Sequence, residues 1–323
     1  MVQEDKYLYG PVPSRRLGRS LGVDIVPSKV CTLDCIYCQL GKTTYTTIER
    51  KDFVPVGEVL AELKEKLARG LDADFITISG SGEPTLNSRL GELIDGIKKI
   101  TDIPVAVVTN GTLLYRQDVR ADCARADVVL PSLDAGDEQT FQRINRPHPG
   151  LSVEKLVNGL CAFRDEFSGQ LWLEVFLIEG FNTDTAQIDR IEDAINRIRP
   201  DKIQLNTAVR PAAEPEVKTF APASMQAIAK QFGDKCKVVP CYSPPSCASL
   251  NESTTEDVLA DQAARRRAET LLSMLKRRPC SLSDICSALG IRRDEALKYI
   301  NHFQQQGVIG FEQREGTVFF KAN

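Results

Sequence analysis

Cys31-Thr-Leu-Asp-Cys35-Ile-Tyr-Cys38 brings three thiols into eight residues, in a loop just beyond the β-branched run Leu21–Val26. Thiols three and two residues apart can wrap one compact cluster, because cysteinate sulfur is the usual ligand of iron–sulfur iron. The absent fourth cysteine leaves one iron open to a substrate or cofactor. A structural zinc site usually takes four ligands, and the only two histidines, His148 and His302, are remote in sequence. Cys35 and Cys38 also have the C-x-x-C spacing of a thioredoxin-like pair, but the third cysteine and the surroundings do not suit one.

Outward from this loop, short β-branched runs alternate with amphipathic stretches. The predicted strands are Leu21–Val26, Phe75–Ser79, Val105–Thr109, Val128–Leu130, Leu171–Ile178 and Ile203–Asn206. Val59–Leu67, Leu90–Ile100, Val153–Phe163 and Ile188–Ile198 carry apolar residues at helical spacing between them. Alternation of this kind implies parallel pairing through right-handed crossovers. Six such units point to a barrel-like or doubly wound α/β domain ending near residue 250. Polar or glycine-bearing loops follow the strand ends at Ser79–Glu83, Asn110–Gly111, Ser132–Asp134 and Asn206–Arg210. Barrels and open α/β sheets place their chemistry on that edge.

The polar run 251–261, NESTTEDVLAD, reads as a linker. Beyond it, 264–276 and 291–306 read as helices, and Ser281 with Asp284 forms a capping-box signature for a helix that Gly290 would stop. Two short β runs around a Glu-Gly turn follow, a hairpin signal. Three helices and a two-stranded wing resemble a winged-helix domain. Residues 262–323 carry 11 Lys and Arg against 6 Asp and Glu, whereas the whole chain has a net charge of −3. A basic tail on an acidic body is compatible with a nucleic-acid partner.

With 42% hydrophobic and 26% charged residues the composition is that of an ordinary folded protein. No signal peptide and no apolar run of bilayer length is visible, so the expected location is the cytoplasm, without a membrane partner. Ten cysteines without export signals read as reduced thiols or metal ligands.

The cysteine motif, with Tyr37 just before its last member, resembles that of the radical S-adenosylmethionine (SAM) superfamily, and the likeness spans roughly residues 10–210. Ser79-Gly-Ser-Gly-Glu-Pro84 is similar to the family's glycine-rich loop, which touches the methionine amino group of SAM. There Gly80 and Gly82 would admit a close backbone approach, and Glu83 would accept a hydrogen bond. Asn110, Ser132 and Asp134 fall where the family places polar contacts to SAM, Tyr37 near the adenine or the cluster, and Arg146, in preference to Arg143, near the SAM carboxylate. The resemblance implies a [4Fe-4S] cluster on Cys31, Cys35 and Cys38. Its open iron would chelate SAM, and one electron would cleave the S–C5′ bond to give methionine and a 5′-deoxyadenosyl radical. The expected fold is α/β: a partial (β/α)6 TIM-like barrel over 1–250, the linker, and a small winged-helix domain over 262–323.

Gly10-Pro-Val-Pro-Ser-Arg-Arg-Leu-Gly-Arg-Ser-Leu-Gly22 and Gln39-Leu-Gly41 resemble an uncharacterised radical SAM group, similar in its core to wyosine-type tRNA-modifying synthases. Unlike those synthases, this chain has no cysteine before Cys31. Arg15, Arg16 and Arg19 either meet an anionic substrate or form a solvated edge. Cys236, Cys241 and Cys247 could hold an auxiliary iron–sulfur cluster or be coincidental thiols; Cys123, Cys161, Cys280 and Cys286 read as small core residues. The leading expectation is a SAM-cleaving enzyme acting on an unidentified substrate and fed by a reductant such as ferredoxin or flavodoxin. The alternatives are an RNA-modifying enzyme of the same chemistry and an iron–sulfur, DNA-binding redox regulator without turnover. The winged helix would take nucleic acid or a protein.

Overall fold

The computed structural model describes residues 6–239, 262–314 and 316–323. Strands β1 (Leu8–Ser14) and β2 (Gly18–Val23) form a hairpin, and β3 (Val30–Cys31) pairs briefly with β4 (Tyr45–Thr46) beside the cysteine loop. Helices and strands then alternate: α1 (Val56–Ala68), β5 (Phe75–Ile78), α2 (Leu90–Lys98), β6 (Val105–Val108), α3 (Gln117–Cys123) and β7 (Val128–Leu130). Next come α4 (Glu138–Asn145), α5 (Val153–Glu166), β8 (Gln170–Leu177), α6 (Thr185–Ile198), β9 (Lys202–Thr207), α7 (Pro222–Gln231) and β10 (Cys236–Val238). One eight-stranded sheet results, in the order β1-β2-β5-β6-β7-β8-β9-β10. Only the β1–β2 pair is antiparallel. Among the described residues the sheet stays open between β1 and β10.

The sheet's two faces differ because side chains alternate along each strand. Leu21, Val23, Leu173, Val175, Ile203 and Leu205 face the helices and share one core with Leu63, Leu93, Leu160 and Ile191. The other parity is mixed: Ala106, Val128 and Leu130 form a small apolar cluster with Leu17, while Ser20 meets Thr77 at 2.6 Å, and Glu174 and Asn206 line a cavity inside the curved sheet. The predicted helices and strands are present with shifted ends. β2 stops at Val23 rather than Val26 because Asp24 turns in to accept the Ser81 N–H at 3.1 Å and its hydroxyl at 2.6 Å.

β1 is not among the predicted strands. Gly10, Pro11 and Pro13 argue against a strand, since proline cannot donate to a ladder. It forms as an edge strand, where missing donors are tolerated, with an irregularity in register between Tyr9 and Val12.

Beyond residue 261 lie α8 (Gln262–Arg277), β11 (Cys280–Ser281), α9 (Leu282–Leu289), α10 (Arg293–Gln305), β12 (Ile309–Arg314) and β13 (Thr317–Ala322). The three strands form an antiparallel sheet in the order β11-β13-β12. Ser281 caps α9 in a capping box with Asp284, and Gly290 ends it in the left-handed conformation. The linker 251–261 lies outside the described residues. Val12 of β1 packs in the apolar cluster of this unit with Leu271, Met274 and Ile300. Arg210, after β9, reaches across to Asp284: Nη2 donates to Oδ1 at 2.8 Å and Nε to Oδ2 at 3.3 Å. The side chains are only 4% and 10% exposed.

Breaking a buried pair leaves one charge without compensation, which costs about 3–5 kcal/mol. Asp284→Ala should therefore destabilise the C-terminal unit by about that much in a urea titration followed by fluorescence. Arg210→Met with Asp284→Leu should recover most of it. Burial raises the Asp284 carboxyl, but the Arg210 charge and the hydrogen bonds outweigh it, so the carboxyl sits below its ordinary 3.8. The pair's contribution is present above that value and is lost as pH falls through the lower folded-state pKa.

Candidate functional site

The cysteine loop has little secondary structure of its own and is held by the end of α4. Asp34 N–H donates to the Asn145 carbonyl at 3.0 Å, Ile36 N–H to Ile144 at 3.0 Å, and His148 N–H to Thr32 at 2.9 Å. Cys38 N–H closes a turn onto the Cys35 carbonyl at 3.1 Å. All three cysteines line a cavity of about 400 Å³ on the inner side of the sheet, a size that suits a small ligand. Gly80, Gly82, Glu83, Asn110, Ser132 and Tyr37 line the same cavity. Arg146 and Asp134 do not.

Gly80 and Gly82 belong to a crowded turn. Gly80 has φ +148°, and a Cβ there would overlap the Asp24 carboxylate; one on Gly82 would overlap the Val30 carbonyl oxygen. Only glycine fits at both places. Glu83, 2% exposed, ties this loop to the end of β6. Its Oε1 accepts from Thr85 N–H at 3.0 Å, Thr85 Oγ1 at 2.6 Å and Thr109 Oγ1 at 2.5 Å, and its Oε2 from Asn110 N–H at 2.8 Å. Burial still holds its carboxyl above the ordinary value, with those bonds pulling the other way.

Two amides point at sulfur. Asn110 Nδ2 lies 3.6 Å from Cys31 Sγ and donates to Thr32 Oγ1 at 2.7 Å. Asn145 Nδ2 lies 3.4 Å from Cys35 Sγ and donates to Asp134 Oδ2 at 2.8 Å. Asp134 also accepts the Tyr37 hydroxyl and the Phe176 N–H, the latter at 3.1 Å. Tyr37 stacks on Phe176 with ring centres 4.1 Å apart. Asp134 therefore braces the loop from behind, and burial raises its carboxyl despite the Tyr37 and Asn145 bonds.

Arg146, expected near the SAM carboxylate, is engaged by acidic side chains beside the cysteine loop. It ends α4 in the left-handed conformation and turns to Glu214 at 2.6 Å and Asp34 at 3.7 Å. Arg143 lies over the Phe181 ring at 4.1 Å. The informative residue in Phe141–Pro147 is instead Asn145. Of the N-terminal arginines, Arg15 and Arg16 face the cavity, whereas Arg19 sits outside among Asp72 and Asp74. Arg16 pairs with the buried Glu174.

Burial, then the Glu83 charge, pushes the Cys31 thiol up to about 12; burial also raises Cys35 and Cys38. Neutral thiols suit that setting, and only a bound metal would stabilise thiolates there. Among the described residues no three His, Cys, Asp or Glu side chains converge on one mononuclear ion. Sulfurs that each bind a different iron of a cube stand further apart than that, and Asn110 and Asn145 supply the N–H donors that such sulfurs accept. The donor set fits a cluster. Of the second cysteine triplet, Cys236 is buried on β10, while Cys241 and Cys247 lie outside the described residues. Among the described residues no helix is long and apolar enough to cross a membrane.

Two signals escaped the sequence. Tyr9 donates to or accepts from Ser79 Oγ at 2.8 Å, and the Arg277 guanidinium of α8 lies 4.2 Å over its ring. Met274, Arg277 and Arg278 line the cavity, so the C-terminal unit forms part of its wall. No local pattern in α8 marks this, because the contact exists only after docking.

Comparison with known proteins agrees with this arrangement. The Radical SAM superfamily profile matches residues 25–190. A UPF0026 protein of Methanocaldococcus jannaschii is 30% identical over 325 residues, covering 98% of this chain and 95% of that one. A protein named GTPase Obg in Brachyspira hyodysenteriae is 43% identical over 257 residues, 79% of this chain; the chain spans only 38% of that relative's length. In fold, the structure of TYW1 with a lysine–pyruvate adduct bound matches with a TM-score of 0.51 at 24% identity, over 66% of this chain and 72% of that chain. The profile and the UPF0026 relative thus show the family: the chain belongs to the radical SAM superfamily, in the group of UPF0026 proteins.

Proposed function

We propose that the protein reductively cleaves SAM at a [4Fe-4S] cluster held by Cys31, Cys35 and Cys38, and so starts radical modification of a substrate. One observation carries this reading: the three thiols and the Gly80–Glu83 turn line a single cavity. When bound, such a cluster supplies the electron that breaks the sulfonium S–C5′ bond of SAM. The chain's own part is positioning. Gly80 and Gly82 let backbone approach the methionine moiety. Glu83 Oε2, which accepts only the Asn110 N–H, has capacity left for the SAM amino group. Asn110 and Ser132 offer polar contacts, and Tyr37 a ring fixed by Phe176. Asp134 and Arg146 act behind the loop, one bracing Tyr37 and Asn145, the other locking α4 to Glu214.

RNA is the substrate class favoured among the alternatives, supported by the arginines on the cavity wall and by the resemblance of the Gly10–Gly22 and Gln39–Gly41 stretches to a group similar to tRNA-modifying synthases. The three helices and hairpin after residue 261 are read as a winged helix. Its α10 is poorly suited to a DNA groove: Arg292 pairs with Asp294 at 3.5 Å, and Glu295 with Arg267 at 2.6 Å. A DNA-binding regulator also has no use for a glycine-rich turn beside the thiols.

The test is anaerobic reduction of the reconstituted protein with SAM. We expect 5′-deoxyadenosine from the wild type and none from a Cys31→Ala/Cys35→Ala/Cys38→Ala variant; an intact cluster without that product would favour the regulator. Iron retained by the triple variant would support the auxiliary cluster. Gly82→Ala should raise the SAM Kd by about tenfold or more, since 1.4 kcal/mol of lost contact suffices. Asn145→Leu should lower iron affinity or activity by about 10–100-fold, the usual effect of losing an outer-shell donor, and should shift the cluster's midpoint potential in an EPR titration.

A further inference from the structure

The cavity wall formed by the β1–β2 turn and the end of α8 has chemistry that SAM does not require. Arg15, Arg16, Arg277 and Arg278 line it, together with Lys29 and Arg210. The carboxylates lining the same cavity are Glu83 and Glu174. Glu83 is occupied by hydroxyl and amide donors, Glu174 by Arg16, and Arg210 by Asp284. Arg277 Nε is 3.9 Å from Asp24, too far for a hydrogen bond. Arg278 forms no ion pair among the described residues. Among the described residues, then, the Arg278 charge is unpaired, and that of Arg277 is met only by the long contact to Asp24.

The arginines act on one another: burial, then Arg15 and Arg278, pulls Arg16 down to about 10. Guanidinium groups crowded in a half-buried wall repel each other unless an anion joins them.

We infer that this wall is a phosphate subsite for the substrate, built jointly by Arg15 and Arg16 of the β1–β2 turn, Arg277 at the end of α8 and Arg278 just beyond it. A phosphate, with oxygens directed to several sides and up to two charges, can accept from guanidinium groups on two separate elements at once; a single planar carboxylate is satisfied by one fork. The inference deepens the proposed function by naming the substrate class and rests on that function for what becomes of the substrate. The phosphate belongs either to a free nucleotide or to RNA.

Calorimetry on the full-length, anaerobically reconstituted protein tests it, with inorganic pyrophosphate, guanosine monophosphate and an oligouridylate as probes and SAM present throughout. The wild type should bind pyrophosphate. Arg278→Ala should weaken binding about tenfold or more, the loss expected for one charge-assisted bond, Arg278→Glu should abolish it, and Arg278→Lys should retain part. Lys276→Ala, two residues earlier and outside this cavity, should bind as the wild type does. Thermal melts of every variant check folding. Tighter binding of the oligouridylate assigns the phosphate to RNA, and tighter binding of the mononucleotide assigns it to a free nucleotide; both support the subsite. No pyrophosphate binding, or equal binding by wild type and Arg278→Glu, overturns it. A wild type that forms 5′-deoxyadenosine yet binds no phosphate sinks the subsite alone. Phosphate binding that depends on Arg278, without SAM cleavage, sinks the proposed reaction alone.

Discussion

A loop that must present three sulfurs cannot also belong to a sheet, and its shape has to be imposed from outside. Here the imposition comes from α4. Carbonyl groups at the end of that helix take the amides of Asp34 and Ile36, and Asn145, one residue before the left-handed Arg146, reaches both Cys35 and Asp134. Asp134 in turn holds Tyr37. A sulfur ligand displaced by an ångström would lose its place in a cluster, so the worth of these bonds lies in geometry more than in stability.

The same economy shapes the glycine-rich turn. Asp24 leaves β2 early to take Ser81, Glu83 takes Thr85, Thr109 and the Asn110 amide, and Tyr9 takes Ser79. Apart from the local bond to Thr85, these bonds join the turn to β1 and to the ends of β2 and β6. Arg277 lies against both Tyr9 and Asp24, so the C-terminal unit touches the turn through two of its three braces. The barrel and the small unit share one cavity and one set of supports.

Much of this was legible in the sequence because it is written locally. Cysteine spacing, the Gly-x-Gly-Glu turn and the alternation of apolar runs need no knowledge of distant residues. Strand β1 was not, since Pro11 and Pro13 look like strand breakers until an edge position makes their missing donors harmless. The partner of Arg146 was hidden for a related reason: nothing near it in the sequence signals Glu214, which lies 68 residues away and captures it. Arg16, Arg210 and Arg278 share that difficulty, their surroundings being made by elements far apart in the chain.

The N-to-C order of chain elements gives α8 a further consequence. Ribosomes emit the strands before the helix that walls their cavity, so a nascent barrel exposes its thiols and its glycine-rich turn to solvent for as long as translation of the later segment takes. Loading of a metal centre could occur through that temporary opening, whereas docking of the helix afterwards would shelter whatever had been installed.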